Sequence, residues 1–262
     1  MSAIRIYLIF FQAYIKKLME YKADFIMGAL SFLLNQFTSI LFISILFEGI
    51  TDLNNWSFYE IVLLYGFSLI PKGIDHFFTD NLWNFSSNIV KNGTFDRYLL
   101  RPISPLYQVV IETVQFDSLG ECITGIFAIV IACNKLKYDL SVFKILLLFV
   151  FAILGSVIYT CIKIVCASLA FWKVKSGNIL KVVYMMSDFN KYPISIYHIF
   201  IRNLLTYCIP FAFTAYYPIM YVLGRADFAH TFIPCVFVVC IMVVIASFTW
   251  TCGVNSYESA GH

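Results

Sequence analysis

Apolar runs long enough to cross a bilayer recur along the whole chain, and this restricts the fold more than any other feature. A helix rises about 1.5 Å per residue, so about 20 apolar residues cross the roughly 30 Å of hydrocarbon. Six stretches have that length, at 25–47, 58–78, 107–133, 143–171, 199–223 and 228–252. Charged residues make up only 13% of the sequence and apolar residues 61%, whereas an ordinary globular domain is about 25% charged. Water could not be faced everywhere with so few polar groups. In lipid each backbone polar group must find its partner inside the protein, and helices do this within their own segment. The prediction is a single-domain, all-α integral membrane protein with about six transmembrane helices.

The first 24 residues read differently. On a helical wheel Ile4, Tyr7, Phe10, Phe11, Tyr14 and Leu18 share one face, and Arg5, Gln12, Lys16 and Glu20 share the other. This pattern fits an N-terminal interfacial amphipathic helix over 1–24, lying flat with its cations toward anionic lipid. The alternative is the start of a longer first span. A cleavable signal is disfavoured, because Lys16, Lys17, Glu20 and Lys22 follow the apolar run with no small-residue cleavage pattern.

Loop charge suggests an orientation. The loop 48–57 has no Lys or Arg, while the segments 1–24, 84–106 and 173–198 together carry 11. With those three segments inside, the outer loops hold three, or four with Arg225, as the positive-inside rule expects. Both termini then lie in the cytoplasm. Pro210 and Pro218 would break a long helix over 199–223. Broken backbone at membrane depth survives only where protein or a wet cavity covers it. The stretch before the last helix is therefore a candidate re-entrant segment.

Enzyme signatures are missing. No G-x-x-x-x-G-K-[ST] run, H-E-x-x-H or G-x-S-x-G occurs, and His76, His198, His230 and His262 have no metal-like spacing. No metal site and no cofactor is expected on this chain. The eight cysteines form no C-x-x-C pair and read as small buried hydrophobes. A net charge of +3 is too balanced for a nucleic-acid binder. The third span holds Glu112, Asp117 and Glu121, and Asp117 and Glu121 fall about 40° apart on a helix. Such a stripe could line a substrate path or a proton relay. It could equally pair with Lys163, Arg202 or backbone inside the bundle, or begin at the interface. Asp75, His76 and Asp80 read as the cytoplasmic end of the second span.

The most informative segment is Lys91-Asn-Gly-Thr-Phe-Asp-Arg-Tyr-Leu-Leu-Arg-Pro-Ile-Ser-Pro-Leu106. Gly93 and Thr94 supply a turn and a cap, and Asp96 falls in the first helical turn, where the helix dipole favours an anion. Pro102 and Pro105 stop the helix after two turns. A short, stiff, cationic element between two spans suits a contact that transmits force.

This segment resembles the G-x-x-D-x-x-L-x-R-P signature of a bacterial branch of ABC-2-type ABC transporter permeases, matched by Gly93, Asp96, Leu99, Arg101 and Pro102. Tyr192-Pro193, Ile209-Pro210-Phe211-Ala212-Phe213 and Tyr216-Tyr217-Pro218 resemble that branch's "yP…iPfa…yyPa" region. The tail Tyr257-Glu-Ser-Ala-Gly261 resembles its "Y-x-S-x-G". The resemblance implies a permease subunit, in many members an exporter, of the bacterial plasma membrane. It implies pairing with a second permease, the same chain or a homologue. It also implies two cytoplasmic ABC ATPase subunits that carry ATP and Mg and dock on the coupling segment, here Lys91, Gly93, Asp96, Arg97, Leu99, Arg101 and Pro102. Phe95 and Tyr98 depart from the pattern by their bulk. Glu112, Asp117, Glu121, Pro210 and Pro218 are the candidate path residues. The alternative function is a proton-coupled secondary transporter using Glu112, Asp117 and Glu121.

Overall fold

In the computed structural model, which describes residue 12 and residues 22–138, 141–173 and 176–258, helices form where the apolar runs stand. The interfacial helix expected over 1–24 falls almost wholly outside the described residues. Among the described residues there are no strands. The helices are α1 (Lys22–Glu48), α2 (Phe58–Thr79), α3 (Asn81–Asn84), α4 (Asp96–Leu99), α5 (Pro105–Ile111) and α6 (Leu119–Leu136). They continue with α7 (Val142–Ser168), α8 (Gly177–Met185), α9 (Ile199–Asn203), α10 (Tyr216–Val222) and α11 (Phe228–Asn255). Among the described residues five helical stretches are long and apolar enough to span a membrane: Ile26–Glu48, Phe58–Thr79, Phe116–Leu136, Val142–Phe171 and Phe228–Asn255.

Central position follows from composition. α2 is two-thirds buried, at 67%, whereas α1 and α11 bury only 11% and 17% and turn Leu, Ile and Phe outward. An all-round apolar helix with its side chains outward is stable where the solvent is hydrocarbon. α2 packs closely on α6 through glycine. A Cβ at Gly66 would lie 2.9 Å from the carbonyl oxygen of Gly125, and one at Gly125 would lie 2.5 Å from that of Gly66. Such small-residue contacts let membrane helices approach where the hydrophobic effect gives no drive. α6 stops at Lys137, whose φ of 52° is left-handed, with the Tyr138 N–H donating back to the Cys133 carbonyl at 3.0 Å.

Contacts along α2 fix the path of the chain between the two ends of the bundle. α1 meets α6 near its start, where Gly28 faces Asp117, and meets the start of α2 near its own end, where Phe47 packs on Phe58. α2 returns to the end that carries residues 84–106. α6 and α7 make the next two crossings.

The next crossing corrects the expected fifth span. Ser176 donates to the Ser86 carbonyl at 3.1 Å, Tyr184 donates to Asp75 at 3.0 Å, Lys72 pairs with Asp188 at 3.3 Å, and Asn54 donates to the Ser195 carbonyl at 3.1 Å. Residues 176–196 therefore run antiparallel to α2 from one end of the bundle to the other. They do so through α8, a 3-10 turn at Met186–Lys191 and extended residues at Tyr192 and Pro193. At the rises of those conformations this covers roughly 30 Å. The segment 173–198, expected as an inside segment that forms an interfacial helix or a partly re-entrant element, thus runs the length of α2 over 176–196.

The expected span 199–223 is not one helix. α9 and a π-turn at Leu204–Cys208 end at Ile209, a 3-10 turn follows at Phe211–Thr214, and α10 leads back. Pro210 sits at φ −72° and ψ 48°, and the Phe211 N–H donates to the Ile209 carbonyl at 2.5 Å, an inverse γ-turn. Both arms stay near the end that carries 48–57: Arg225 donates to the Asn55 carbonyl at 2.9 Å and pairs with Glu60 at 2.7 Å. This is a hairpin that enters and leaves on one side. Its freed backbone is covered by protein, with Phe211, Ala212 and Thr214 buried and Asn190 donating to the Phe211 carbonyl.

A further correction concerns the expected span 107–133. Helix α5 ends at Ile111, residues 112–115 are irregular, and the apolar crossing starts at Phe116. The carboxylates of Glu112 and Asp117 place that break, because a charge at the core of a span is costly and both lie near the interface end of it.

Candidate functional site

The segment 85–112 is a folded ledge rather than a loose loop. A π-turn at Phe85–Ile89 is followed by a turn through Gly93, whose φ of 67° is the left-handed conformation that glycine adopts most readily. The Thr94 N–H and hydroxyl both donate to the Ile89 carbonyl, at 3.1 and 3.0 Å. The helix that follows is one turn long, Asp96–Leu99, not the two turns expected. Side chains from outside the turn hold it instead. Gln108 donates to the carbonyls of Tyr98 and Ile103, at 3.0 and 2.8 Å. Arg97 pairs with Glu112 at 3.0 Å and lies over the Tyr98 ring, and the Tyr98 hydroxyl donates to Glu112. Burial, together with that hydrogen bond to Glu112, pushes the Tyr98 phenol up to about 12.

Phe95 and Tyr98, the two bulky departures from the family signature, are the anchors. Both are fully buried. Phe95 meets Phe85, Phe171, Trp250 and Tyr257 at centroid distances of 5.6, 5.2, 6.4 and 5.0 Å. Ring pairs at this spacing add about 0.5–1.5 kcal/mol each beyond burial. The ledge is thereby fastened to the ends of α7 and α11. The tail motif joins it: Tyr257 packs on Phe95, and burial and the Asp96 carboxylate push its phenol up to about 12. Lys91, Arg97, Leu99, Leu100, Arg101 and Pro102 face outward, Leu100 with 85% of its surface exposed.

Deeper in the bundle lies a polar cluster. Lys163 of α7 is fully buried and reaches Asp75 at 2.9 Å and Asp80 at 3.4 Å. Asp75, also fully buried, accepts from Thr79 at 2.7 Å, Thr160 at 2.8 Å and Tyr184 at 3.0 Å. His76 Nδ1 stands 2.9 Å from Glu121. Asp188 accepts from Lys72 and Lys191, each at 3.3 Å. Asp75, His76 and Asp80 are therefore not merely the end of a span. They join α2 to α6, α7 and the broken crossing. Among the described residues no group of three or more His, Cys, Asp or Glu side chains is placed to hold a metal ion.

The proposed stripe of third-span carboxylates does not exist as a unit. Glu112 belongs to the ledge, with Arg97 and Tyr98. Asp117 sits against Gly28 of α1 and accepts from Gln115 at 3.2 Å. Glu121 alone enters the cluster, paired with His76 rather than with Lys163 or Arg202. Pro210 and Pro218 are buried in the hairpin, and neither borders the cavities beside the cluster. Sequence reasoning missed the Asp75–Lys163 pair. The signal was there: two ionisable groups deep in two apolar runs, each of which requires a partner.

The family model for the ABC-2 family transporter proteins matches residues 33–261. The chain belongs to that family. No curated protein and no solved structure matches it. The match makes this multi-pass membrane protein the permease subunit of an ABC transporter, a subunit that is generally non-catalytic, and it implies an ATPase partner. Both the ledge and the tail motif lie within the matched residues.

Proposed function

We propose that this permease works in an ATP-driven exporter of the bacterial plasma membrane, by alternating access, with the ledge as the docking surface for the ATPase. Two cytoplasmic ATPase subunits would bind ATP and Mg, and a second permease, identical or homologous, would complete the path. Both chain termini would be cytoplasmic. The observation that carries this reading is the fastening of an exposed Leu99–Pro102 rim to buried Phe95 and Tyr98. A push on the rim is delivered to the ends of α7 and α11, since Phe95 contacts Phe171 and Trp250. α7 in turn carries Lys163, so tilting it against α2 must alter the bridge to Asp75.

The test is co-purification in mild detergent with an ABC ATPase subunit from the same organism. The native chain should retain the ATPase and stimulate its turnover. Leu100→Asp should abolish both while leaving the fold intact, because Leu100 is exposed. Undiminished association with Leu100→Asp would remove the ledge from the docking surface. The proton-coupled alternative needed Glu112, Asp117 and Glu121 in one relay, and their separation leaves it without a path.

A further inference from the structure

Two cavities beside the cluster, of about 140 and 390 Å³, share Phe32, Asn35, Lys72 and Glu121 in their walls and so form one cleft between α1, α2 and the broken crossing. The larger cavity lies toward the ledge, where Asp80 and Trp83 stand just past α2. One of its walls is aromatic throughout. Phe32, His76, Tyr184 and Trp83 follow one another in ring contact, at centroid distances of 6.4, 5.3 and 5.4 Å. The charges that line the cleft do not cancel. Lys72 and Lys191 are balanced by Asp188, which accepts from both, and by Glu121. Asp80 is left over. Lys163, outside the lining, reaches it at 3.4 Å but lies nearer Asp75, at 2.9 Å, and one ammonium cannot neutralise two carboxylates. With His76 neutral beside Glu121, the cleft therefore carries one net negative charge, at Asp80, whose side chain is 29% exposed. Hydrogen-bonding capacity is also unspent: Ser187 lines the smaller cavity, and its buried hydroxyl has no hydrogen-bond partner.

A charge without its counterpart in a partly dry site is costly, and a ligand that brings the opposite charge removes that cost. Aromatic walls add affinity for a flat ring through ring contacts and for a cation through their π faces. We propose that this cleft binds an organic monocation of the arylalkylammonium class, with its ammonium on Asp80 and its ring against Phe32, Tyr184 and Trp83. The two features select together. The net charge of the lining disfavours an acid of the same shape, and a neutral alcohol of the same shape gains the ring contacts alone. Lys72 does not cancel the attraction, because Asp188 holds it at 3.3 Å. A cavity of about 390 Å³ is within the range that small ligands occupy. The inference rests on the permease reading above and names its ligand class. Binding itself needs no ATPase, so its failure and the failure of ATPase association are separate results.

The experiment is equilibrium binding of phenethylamine to the purified full chain in phosphatidylcholine nanodiscs at neutral pH, with empty nanodiscs as the blank. Phenethyl alcohol, in which a hydroxyl replaces the ammonium, and hydrocinnamate, in which a carboxylate does, are measured beside it. The amine should bind at least about tenfold tighter than the alcohol, a difference of about 1.4 kcal/mol, and the acid should bind weakest. Asp80→Asn should remove the advantage of the amine and leave the alcohol unchanged. Phe32→Leu, which keeps an apolar side chain but removes a ring of the wall, should weaken amine and alcohol by the same factor. The Asp80 side chain is partly exposed, and an unaltered thermal midpoint confirms that each variant is folded. If a variant does not fold, the ranking of the three probes on the native chain still decides. Equal binding of amine and alcohol, absence of binding by the native chain, an undiminished preference for the amine in folded Asp80→Asn, or native affinities in folded Phe32→Leu would each overturn the proposal.

Discussion

Replacing Lys163 with Met tests whether the buried bridge is a structural pair in the sense argued above. The side chains of Lys163 and Asp75 are both fully buried and stand 2.9 Å apart. Without the ammonium, Asp75 would keep only the hydroxyls of Thr79, Thr160 and Tyr184 around an uncompensated charge. Breaking such a pair from one side costs about 3–5 kcal/mol. Asp75→Asn should cost less, about 1.5–3 kcal/mol, the range for a lost hydrogen bond to a charged group. It leaves Lys163 with Asp80 at 3.4 Å and keeps an oxygen acceptor for the hydroxyls. The decisive variant combines the two. Adding Asp75→Asn to Lys163→Met removes the orphan charge and should recover at least about 1 kcal/mol of the loss. Reversible unfolding in mixed micelles, followed by far-UV circular dichroism, measures all three. A double variant less stable than Lys163→Met alone would refute the reasoning, since it would show that Asp75 is not held as a buried anion by Lys163.

The ledge yields further expectations. Phe95→Ala should destabilise the chain by about 3–5 kcal/mol, the range for emptying an aromatic site in a packed core, and should make residues 91–102 the first site of limited proteolysis. Gln108→Ala frees the carbonyls of Tyr98 and Ile103 and should cost about 1–3 kcal/mol, with amide exchange in 98–103 accelerated before the rest of the chain. Tyr98 is held protonated by burial and by its bond to Glu112, with its pKa pushed up to about 12 from an ordinary 10. Its contribution is therefore full below pH 10 and is lost as pH rises from 10 toward 12. The stability of the native chain should fall across that interval more steeply than that of Tyr98→Phe, as denaturation at stepped pH would show.

Length and apolarity made most of the bundle legible. Runs such as 143–171 are too long and too apolar for another solvent, and the structure has Val142–Phe171 there. The ledge was legible too, because Gly93, Pro102 and Pro105 punctuate the chain whatever surrounds it. Its length was not. Asp96–Leu99 is a single turn: Gln108, ten residues on from Tyr98, donates to the Tyr98 carbonyl that a second turn would have used, and Glu112 holds the side chains of Arg97 and Tyr98. The same two residues explain the misplaced third span: Glu112 looked like an intramembrane charge until Arg97 and Tyr98 were seen beside it.

The fifth crossing was hidden for a deeper reason. Hydropathy ranks residues 199–223 above 176–196, since the latter carries Lys181, Asp188, Asn190 and Lys191. Yet several polar groups of the broken crossing are paired: Asp188 with Lys72 across the bundle and with Lys191 beside it, Asn190 with Phe211 and Thr214, Tyr184 with Asp75. The apolar hairpin is the element that stays on one side, because Pro210 turns it and α2 and α7 already fill the space ahead, with Gly155 pressed between Pro71 and Thr214. A one-dimensional scale assigns each residue the cost of facing lipid. A segment that turns its polar side chains onto protein escapes much of that cost, so a crossing of this kind is the one such a scale is least able to find. The polarity that disqualified 176–196 as a span is the same polarity that ties it to α2, through Asp188 with Lys72 and Tyr184 with Asp75.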